Sequence, residues 1–428
     1  MKNVLISWNP WWDNKDWSQE WVKRTEYTNE CISFLKKRII VLYGVRRAGK
    51  TVIMFQVIRN LIDNGVQPKS ILYLNFDDER LPKDIYGLDT IYNSYLEITG
   101  STEPIFIFLD EVQRVKGWSS WIRRFYDMKK PVYFIVSGSS ANILAPDVSR
   151  VLTGRRYDVL VWPFSLKEYL ISKNIQIKED PYLEFGGESG RINHYLIQYM
   201  KTGGFPEVVT EQIEIMQLQY LHSYFLDILY RDISGRHPTT NISKLRDVGI
   251  FLIENIANYL NISKLAKYLD ISKPTLYQYL SYLEEVFLFF YVEYFSYGAK
   301  KRLVKPKKIY TVDVGLHNAL SKVATENYGR IAENLVFLHL RRFTDQIFYW
   351  QDEKGHEVDF IAKINGTLYA IESKFEDKAV SDTLGSFAKR YNAIPIQITK
   401  TVIGNGKVPL WLFLLTNPND WMKYRQFS

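Results

Sequence analysis

The amino-acid sequence predicts an α/β protein with a parallel β-sheet domain, a helical and winged-helix middle region, and a second α/β domain towards the carboxyl terminus. Three observations predict this class. Apolar runs alternate with helical periodicity up to residue 162, helical periodicity dominates from residue 163, and residues 357–375 have the two-residue period of a β-hairpin. The predicted domains are a Trp-rich segment 1–38, the parallel-sheet domain 39–162, a helical connector 163–240, a winged helix-turn-helix 241–312 and the second α/β domain 313–428.

The start of the parallel-sheet domain predicts a strand, a phosphate-binding loop and a helix. The run IIVLY precedes Gly44-x4-Gly49-Lys50-Thr51, which is the P-loop pattern, and an apolar-periodic helix follows. Backbone N–H groups and the helix amino terminus favour bound phosphate, Lys50 would reach the β and γ phosphates, and Thr51 would bind Mg²⁺. The predicted cofactors are therefore ATP and Mg²⁺. The residues predicted to contact them are Gly44, Val45, Arg46, Arg47, Ala48, Gly49, Lys50, Thr51, Asp110 and Ser137.

Two acids end another apolar strand, EPIFIFLDEVQ. Asp110 is predicted to bind the Mg²⁺ shell and Glu111 to polarise water for attack on the γ-phosphate, which favours an ATPase over a small-molecule kinase. The strand VYFIVSGSS ends in Ser137 and Ser139, which could sense the γ-phosphate or cap the following helix. With strands at SILYLNF and YDVLVW the count is five, and their alternation with helices predicts a parallel three-layer sheet.

An ordered set of motifs extends over most of the chain: GVRRAGKT, LNFDD, LDEVQ, GWSSWIRRFYD, VSGSS, LTGRRYDVLVWPFSLKEYL and TGGFPEVV. This set resembles the AAA+-like ATPase family of archaea and bacteria whose members carry a nuclease-like carboxy-terminal domain. The resemblance implies an ATP-binding AAA+-like core.

Several arginines could contact phosphate. Within LTGRR, Arg155 is predicted to act as an arginine finger on the γ-phosphate of a neighbouring subunit, with Arg156 as the alternative, and this predicts a homo-oligomer. Arg46 and Arg47, inside the loop, are equally able to contact phosphate. For each of these arginines, a surface or structural ion pair is the alternative interpretation.

Residues 261–295 predict helix, turn, helix and strand, the order of a winged helix-turn-helix. Ser272 would cap the second helix and Pro274 would lie in its first turn. That helix is a poor reader of base edges because it lacks arginine and carries two glutamates. The next segment, GAKKRLVKPKK, predicts a basic wing that contacts DNA phosphates independently of base sequence, or a solvated basic loop. Its cations are Lys300, Lys301, Arg302, Lys305, Lys307 and Lys308.

The β-hairpin predicted at 357–375 has an Asn-Gly turn. Its register places Asp359 opposite Glu372, where like charges destabilise a strand pair. One interpretation is a solvated face with a single Glu357–Lys374 ion pair. A divalent cation bridging the two carboxylates explains the arrangement better, since hard cations bind carboxylate oxygens.

A third acid, Glu333, lies on the apolar face of a predicted helix, which would carry it inward toward this pair. Helix with Glu333, strand with Asp359 and strand with Glu372-x-Lys374 together resemble the PD-(D/E)xK nuclease superfamily over roughly residues 328–415. The resemblance implies that Asp359 and Glu372 hold Mg²⁺, that Lys374 orients or activates water, and that Glu333 supports the metal. Val358 replaces the proline of the superfamily pattern, and cleavage by this pocket stays open.

Composition restricts the partners. The 428 residues carry a formal net charge of +8, which favours an anionic partner. The single cysteine, Cys31, excludes an internal disulfide and suits a reducing cytoplasm. The opening residues lack the core of a signal peptide and the longest apolar runs are too short to cross a bilayer, so we expect a cytoplasmic protein without membrane contact. The Trp-rich opening is expected to pack on the ATPase, with a partner contact or base stacking as alternatives.

These features predict an ATP-hydrolysing AAA+-like protein that acts on DNA by remodelling, translocation or branched-DNA processing. The alternative is a nucleotide-controlled switch whose winged helix and inactive nuclease fold bind protein partners. The residues predicted to be catalytic are Lys50, Glu111, Arg155, Glu333, Asp359, Glu372 and Lys374, and those predicted to bind metal are Thr51, Asp110, Asp359 and Glu372.

Overall fold

The computed structural model describes residues 1–13, 17, 19–100, 104–177, 179–321, 327–376 and 380–426. The chain divides into two compact units, an amino-terminal unit, Met1–Trp162, and a carboxy-terminal unit, Pro163–Ser428. In the described ranges no helix combines the length and the apolar character that crossing a membrane requires.

The described part of the amino-terminal unit contains one parallel sheet of five strands, in the order β2-β3-β4-β1-β5. All five strands lie where the apolar runs predict them, and four of them are almost completely buried, as expected when helices cover both faces of a parallel sheet. The strands are β1 Ile39–Tyr43, β2 Ile71–Asn75, β3 Ile105–Asp110, β4 Val132–Gly138 and β5 Arg156–Leu160. The helices are α1 Lys2–Trp8, α2 Thr25–Leu35, α3 Lys50–Asp63, α4 Ile85–Thr99, α5 Trp118–Asp127 and α6 Pro146–Leu152.

The Trp-rich opening packs against β2, which is an edge strand of this sheet. The indole of Trp12 donates a hydrogen bond to the carbonyl of Ile71 at 2.7 Å. The side chain of Asn9 accepts a hydrogen bond from the Tyr73 backbone N–H at 2.7 Å and donates to its carbonyl at 3.0 Å. The predicted packing role is confirmed for these residues, and it satisfies edge groups that would otherwise be open to pairing with another chain.

The carboxy-terminal unit combines a mainly helical first half with a mixed sheet. Its helices are α7 Leu166–Ser172, α8 Pro181–Phe185, α9 Ser189–Thr202, α10 Pro206–Thr210, α11 Glu214–Asp227, α12 Ile242–Glu254, α13 Ile262–Tyr268, α14 Lys273–Glu285, α15 Ala299–Val304, α16 Gly315–Leu320, α17 Tyr328–Leu340, α18 Asp382–Tyr391, α19 Leu410–Leu415 and α20 Pro418–Arg425. Its strands are β6 Phe289–Tyr294, β7 Lys308–Thr311, β8 Ile347–Gln351, β9 Glu357–Ile364, β10 Thr367–Ser373, β11 Ile394–Thr399 and β12 Lys407–Pro409.

The predicted helix-turn-helix is present as α13 and α14, but the strands that follow differ from an independent wing. Ser272 accepts a hydrogen bond from the Thr275 N–H and so caps α14, with Pro274 in the first turn, as predicted. Among the described residues β6 and β7 belong to a seven-stranded sheet, in the order β12-β11-β10-β9-β8-β6-β7. Strand β6 pairs in parallel with β8. The domain boundary predicted after residue 312 therefore divides one hydrogen-bonded sheet and does not lie in a linker.

The hairpin of β9 and β10 has the predicted register. Asn365 and Gly366 have φ of 49° and 83°, as a type I′ turn requires. Ile364 pairs with Thr367 and Phe360 with Ile371, so Asp359 and Glu372 follow as the next positions on the two strands. The local sequence is sufficient for this element because the turn type fixes the pairing.

Candidate functional site

The loop between β1 and α3 has a backbone that only glycine accommodates at two positions. Gly44 and Gly49 have φ of 136° and 93°, which L side chains rarely adopt. A β-carbon at Gly44 would also overlap the carbonyl oxygen of Val161. The P-loop pattern therefore stands in the predicted setting, after a buried strand and at the start of a helix.

The Lys50 side chain is buried and turned back onto this loop. Its ammonium donates hydrogen bonds to the carbonyl oxygens of Gly44 and Val45, each at 2.9 Å. The charge is thus held by the loop whose N–H groups would bind phosphate. Contact of Lys50 with the β and γ phosphates stays a prediction.

The carboxylate of Asp110 accepts hydrogen bonds from three hydroxyl groups. Thr51 donates to one carboxylate oxygen at 2.5 Å, and Tyr73 donates to the same oxygen at 3.0 Å. Ser137 donates to the other oxygen. Oxygen atoms of Thr51 and Asp110 therefore lie side by side, a donor set that fits Mg²⁺. Tyr73 is a site residue that the sequence does not reveal, since a tyrosine in an apolar strand is typical of any core.

Glu111 follows Asp110 in a strained backbone conformation. Its φ is 53°, uncommon for a residue other than glycine and typical of functional sites. Its N–H donates to the hydroxyl of Ser137 at 3.1 Å, and its carboxylate accepts a hydrogen bond from Gln113 at 2.5 Å. Burial raises the pKa of Glu111, an effect that the charge of Lys50 opposes. A carboxylate with a raised pKa is suited to accept a proton from water.

Ser137 connects the two acids rather than capping a helix. Ser140 occupies the cap position of the next helical turn, Ala141–Leu144, while Ser137 bonds to the carboxylate of Asp110 and the N–H of Glu111. Contact of Ser137 with the γ-phosphate stays a prediction.

The predicted phosphate-contacting arginines occupy different places. Arg46 lies 3.8 Å from the carboxylate of Asp77. Arg155 forms an ion pair with Asp127 at 3.0 Å, and its carbonyl accepts a hydrogen bond from the N–H of Ile39, at the amino-terminal end of β1. The P-loop follows the other end of β1, so an Arg155 finger would have to serve a neighbouring subunit. That role, and those of Arg46 and Arg47, stay predictions.

A buried arginine that carries no motif supports the P-loop. Arg24 is 1% exposed and precedes α2. Its guanidinium donates to the carbonyl of Ala48 in the loop and to that of Trp162 at the end of the unit, each at 2.8 Å. The sequence gives no signal for this role, because a single arginine beside a helix start is typical of an exposed residue.

We expect Arg24→Met to lower the free energy of unfolding of the amino-terminal unit by about 2–4 kcal/mol, because two buried carbonyls lose a charged donor. Urea unfolding of the full chain, followed by hydrogen exchange of β1 and α3, measures the change. Arg123→Met is the matched control, since Arg123 is half-exposed in an ion pair within one helix. Equal stability of the two variants would contradict a structural role for Arg24.

In the carboxy-terminal unit, the predicted acids surround a buried lysine. Glu333 lies on α17 and Asp359 on β9, as predicted. Lys308, 3% exposed, lies 2.8 Å from the carboxylate of Glu333 and 3.5 Å from that of Asp359. It also forms an ion pair with Glu357. We call this group the acid pocket: Lys308, Glu333, Glu357 and Asp359.

Hydroxyl groups and one backbone N–H complete the acid pocket. Tyr310 donates a hydrogen bond to Glu333 at 2.8 Å, and Tyr259 donates to Glu357 at 2.6 Å. The N–H of Ser373 donates to Asp359 at 2.8 Å. Burial raises the pKa of Glu333 to about 7, although Lys308 opposes the shift. Burial alone would lower the pKa of Lys308, but Tyr310 and the surrounding carboxylates raise it well above its ordinary value.

Glu372 and Lys374 pair with each other beside the acid pocket. Their charged atoms lie 3.1 Å apart, and the hydroxyl of Ser381 donates to the Glu372 carboxylate. The Glu357–Lys374 ion pair considered from the sequence is therefore not formed, since each partner has another.

The burial of Lys308 corrects one expectation and bears on a second. Lys308 is not a cation of an exposed wing, because β7 carries it into the sheet. The charge that offsets the acids at Glu333 and Asp359 is this ammonium, so their proximity does not require a metal. In the described part of the chain no group of three or more acidic, histidine or cysteine side chains could hold a metal ion. Mg²⁺ binding by the two carboxylates of Asp359 and Glu372 stays a prediction.

Three stretches of the chain match known protein families. Residues 36–170 match the family described as AAA domain. Residues 193–327 match a domain of unknown function (DUF8612), and residues 328–412 match another (DUF4143).

Two curated proteins are similar over most of their lengths. The chain is 33% identical over 372 residues to the uncharacterized protein MJ1544 of Methanocaldococcus jannaschii, which covers 82% of this chain and 80% of that protein. It is 29% identical over 368 residues to an uncharacterized protein of Haemophilus influenzae, which covers 84% of this chain and 88% of that protein.

Solved structures align with low scores. The ORC1 protein of Aeropyrum pernix in complex with DNA aligns with a TM-score of 0.33 and 13% identity, over 73% of this chain and 96% of that one. AMPPCP-bound DnaA of Aquifex aeolicus aligns with a TM-score of 0.26 and 14% identity, over 61% of this chain and 86% of that one.

Proposed function

The chain belongs to the same protein family as MJ1544 of Methanocaldococcus jannaschii and carries an AAA+ P-loop ATPase domain, and we propose that it hydrolyses ATP to act on DNA. The observation that carries the proposal is the joint placement of Lys50, Thr51, Asp110 and Glu111. An ammonium on the P-loop, two adjacent oxygen donors and a carboxylate of raised pKa are the groups that phosphoryl transfer to water needs.

Each of these groups has a defined task. The P-loop N–H groups and Lys50 would bind the β and γ phosphates, and Thr51 and Asp110 would hold Mg²⁺, which when bound neutralises charge on those phosphates. Glu111 would orient the attacking water and accept its proton. Ser137 positions both acids, because it bonds to the Asp110 side chain and the Glu111 backbone. An arginine finger from Arg155 of a second subunit would complete the site, so we propose a homo-oligomer.

DNA is the proposed partner of the carboxy-terminal unit. Lys300, Lys301 and Lys305 are exposed in the segment that joins β6 to β7, and with Lys307 they retain a basic surface without Lys308. Cations of this kind bind phosphates independently of base sequence. Compensation of the acid pocket by Lys308 favours gripping DNA over cutting it.

Compensation of the acid pocket by Lys308 also favours a second candidate, a nucleotide-controlled switch. A nuclease-like fold whose acids are bound to an internal lysine could instead present a surface to protein partners. The two candidates differ in one measurable respect, because only the first predicts that DNA changes the rate of ATP hydrolysis.

We expect DNA to increase ATP turnover several-fold, since a motor or remodeller couples hydrolysis to its substrate. Phosphate release is measured with single-stranded, duplex and four-way branched DNA, at low and physiological salt, with Lys50→Ala as the inactive control. Turnover unchanged by all three DNA forms, together with the absence of DNA binding, would contradict the proposal. An ATP-dependent change of assembly state under those conditions would support the switch.

A further inference from the structure

A large cleft lies in the carboxy-terminal unit between α15, the end of β6, the turn joining β8 to β9, and α18. Its volume is about 1290 Å³, above the ~300–1,000 Å³ typical of sites for small molecules. The size therefore favours an extended ligand. None of the predicted catalytic residues lines this cleft, although three of its lysines belong to the basic segment after β6.

Aromatic rings form one wall of the cleft. Phe295 lies 5.5 Å from Tyr297 and 5.4 Å from Tyr391, and the two tyrosine rings lie 6.3 Å apart. The ring of Tyr297 is 80% exposed, which is unusual for a large aromatic side chain. Phe295 also packs on Phe387 of the core, with ring centroids 5.6 Å apart. The aromatic wall is therefore fixed to the core through Phe295, while the ring of Tyr297 is open to a ligand.

Cations stand beside these rings. The ammonium of Lys305 lies 5.4 Å from the ring centroid of Tyr294, and the guanidinium of Arg390 lies 5.3 Å from that of Tyr391. The other cationic residues of the lining are Lys300, Lys301, Lys354 and, when protonated, His356. The cations come from three separate elements, so they border the rings on more than one side.

Carboxylates are fewer in the lining. Asp352 bonds to the ring of His356 and to the N–H groups of Lys354 and His356, each at 2.8 Å, and thereby shapes the turn. The remaining two are Glu353 and Asp382. Positive charge exceeds negative charge in the lining, which complements an anionic chain.

From these observations we infer that the cleft binds single-stranded nucleic acid, with bases stacked on Tyr297 and Tyr391 and phosphates on the surrounding lysines. Unpaired bases of any identity stack on aromatic side chains, whereas bases within a duplex are already stacked on each other. DNA and RNA single strands share this chemistry. The inference rests on the proposed function, in that it names where the carboxy-terminal unit holds its nucleic acid and in which form.

Fluorescence anisotropy of the full chain tests the inference with a labelled 20-nucleotide oligo-dT, an oligo-rU of the same length and a 20-base-pair duplex. We expect Tyr297→Ala to weaken binding of a single strand about tenfold and binding of the duplex less than twofold. Tyr297→Phe should retain affinity, because it keeps the ring. Tyr86→Ala is the matched control, since Tyr86 is also 80% exposed but lies in the amino-terminal unit.

A second variant tests the phosphate contacts. Replacement of Lys300 and Lys301 by glutamine should reduce the slope of log affinity against log salt by about 0.7 for each charge removed. If the wild-type chain binds DNA and Tyr297→Ala does not weaken that binding, the cleft is not the binding site. The proposed action on DNA would then still stand. Failure of every oligonucleotide to bind would overturn both. Displacement of oligo-dT by an equal concentration of polyglutamate would assign the cleft to acidic proteins and overturn the inference.

Discussion

Replacement of Glu111 by glutamine is expected to slow ATP hydrolysis by at least about 100-fold while ATP still binds. General-base catalysis contributes about 10²–10⁴-fold to rate, and glutamine keeps the shape of the side chain without its proton-accepting oxygen. The groups predicted to bind nucleotide, Lys50, Thr51 and Asp110, are unchanged in this variant. Single-turnover phosphate release and equilibrium binding of a fluorescent ATP analogue measure the two effects separately.

Two controls make this result specific. Glu79→Gln removes an exposed carboxylate from the segment after β2 and should leave turnover unchanged. Lys50→Ala should lose hydrolysis and weaken ATP binding, since the ammonium is the phosphate-binding charge. If Glu111→Gln loses ATP binding to the same extent as Lys50→Ala, then Glu111 maintains the site rather than activating water.

The pH dependence of hydrolysis offers a further readout within the same experiment. Because burial raises the pKa of Glu111, the carboxylate becomes available as a base only as pH rises through that higher value. Wild-type turnover should therefore fall, as pH decreases, at a higher pH than an ordinary glutamate would cause. The residual activity of Glu111→Gln should lack this dependence.

Elements set by local sequence were predictable. The β9–β10 register follows from an Asn-Gly turn, and the cap of α14 follows from Ser272 before Pro274. The five strands of the amino-terminal unit follow from apolar runs bounded by polar residues. In each case the information lies within a few residues, so no distant contact needs to be known.

The missed features depend on contacts distant in sequence. Arg24 is buried because carbonyls of Ala48 and Trp162 accept its hydrogen bonds. Lys308 stands in a run of lysines that would ordinarily be solvated, yet β7 pairs with β6 and brings this one lysine to Glu333 and Asp359. The sequence shows which residues are charged. The sheet in which a residue lies decides whether its charge is buried. Counting the carboxylates alone therefore omits an internal cation beside Glu333 and Asp359, and Mg²⁺ binding by Asp359 and Glu372 stays a prediction.

The acid pocket gives the second large expected effect. Lys308→Met should lower the free energy of unfolding of the carboxy-terminal unit by about 3–5 kcal/mol, because removal of one partner leaves buried charges uncompensated. Hydrogen exchange of β9 and β10 in increasing urea reports on this unit within the full chain. Lys307→Met is the matched control, since Lys307 is 49% exposed and its ion pair with Glu293 lies at the surface. An exposed pair of this kind contributes at most about 1 kcal/mol.

The loss of stability in Lys308→Met should also depend on pH, in a direction that Glu333 determines. Burial raises its pKa to about 7 from an ordinary value of 4.5, so this group favours the folded state at low pH and that contribution is lost as pH rises through about 7. Without the Lys308 ammonium the pKa rises further, so Lys308→Met should be more destabilised relative to wild type at pH 8 than at pH 5. Adding Glu333→Gln to Lys308→Met should recover part of the loss at pH 8, because it removes one uncompensated charge. A stability deficit independent of pH, or a Lys308→Met variant as stable as Lys307→Met, would mean that solvent or a bound cation, rather than Lys308, compensates these acids.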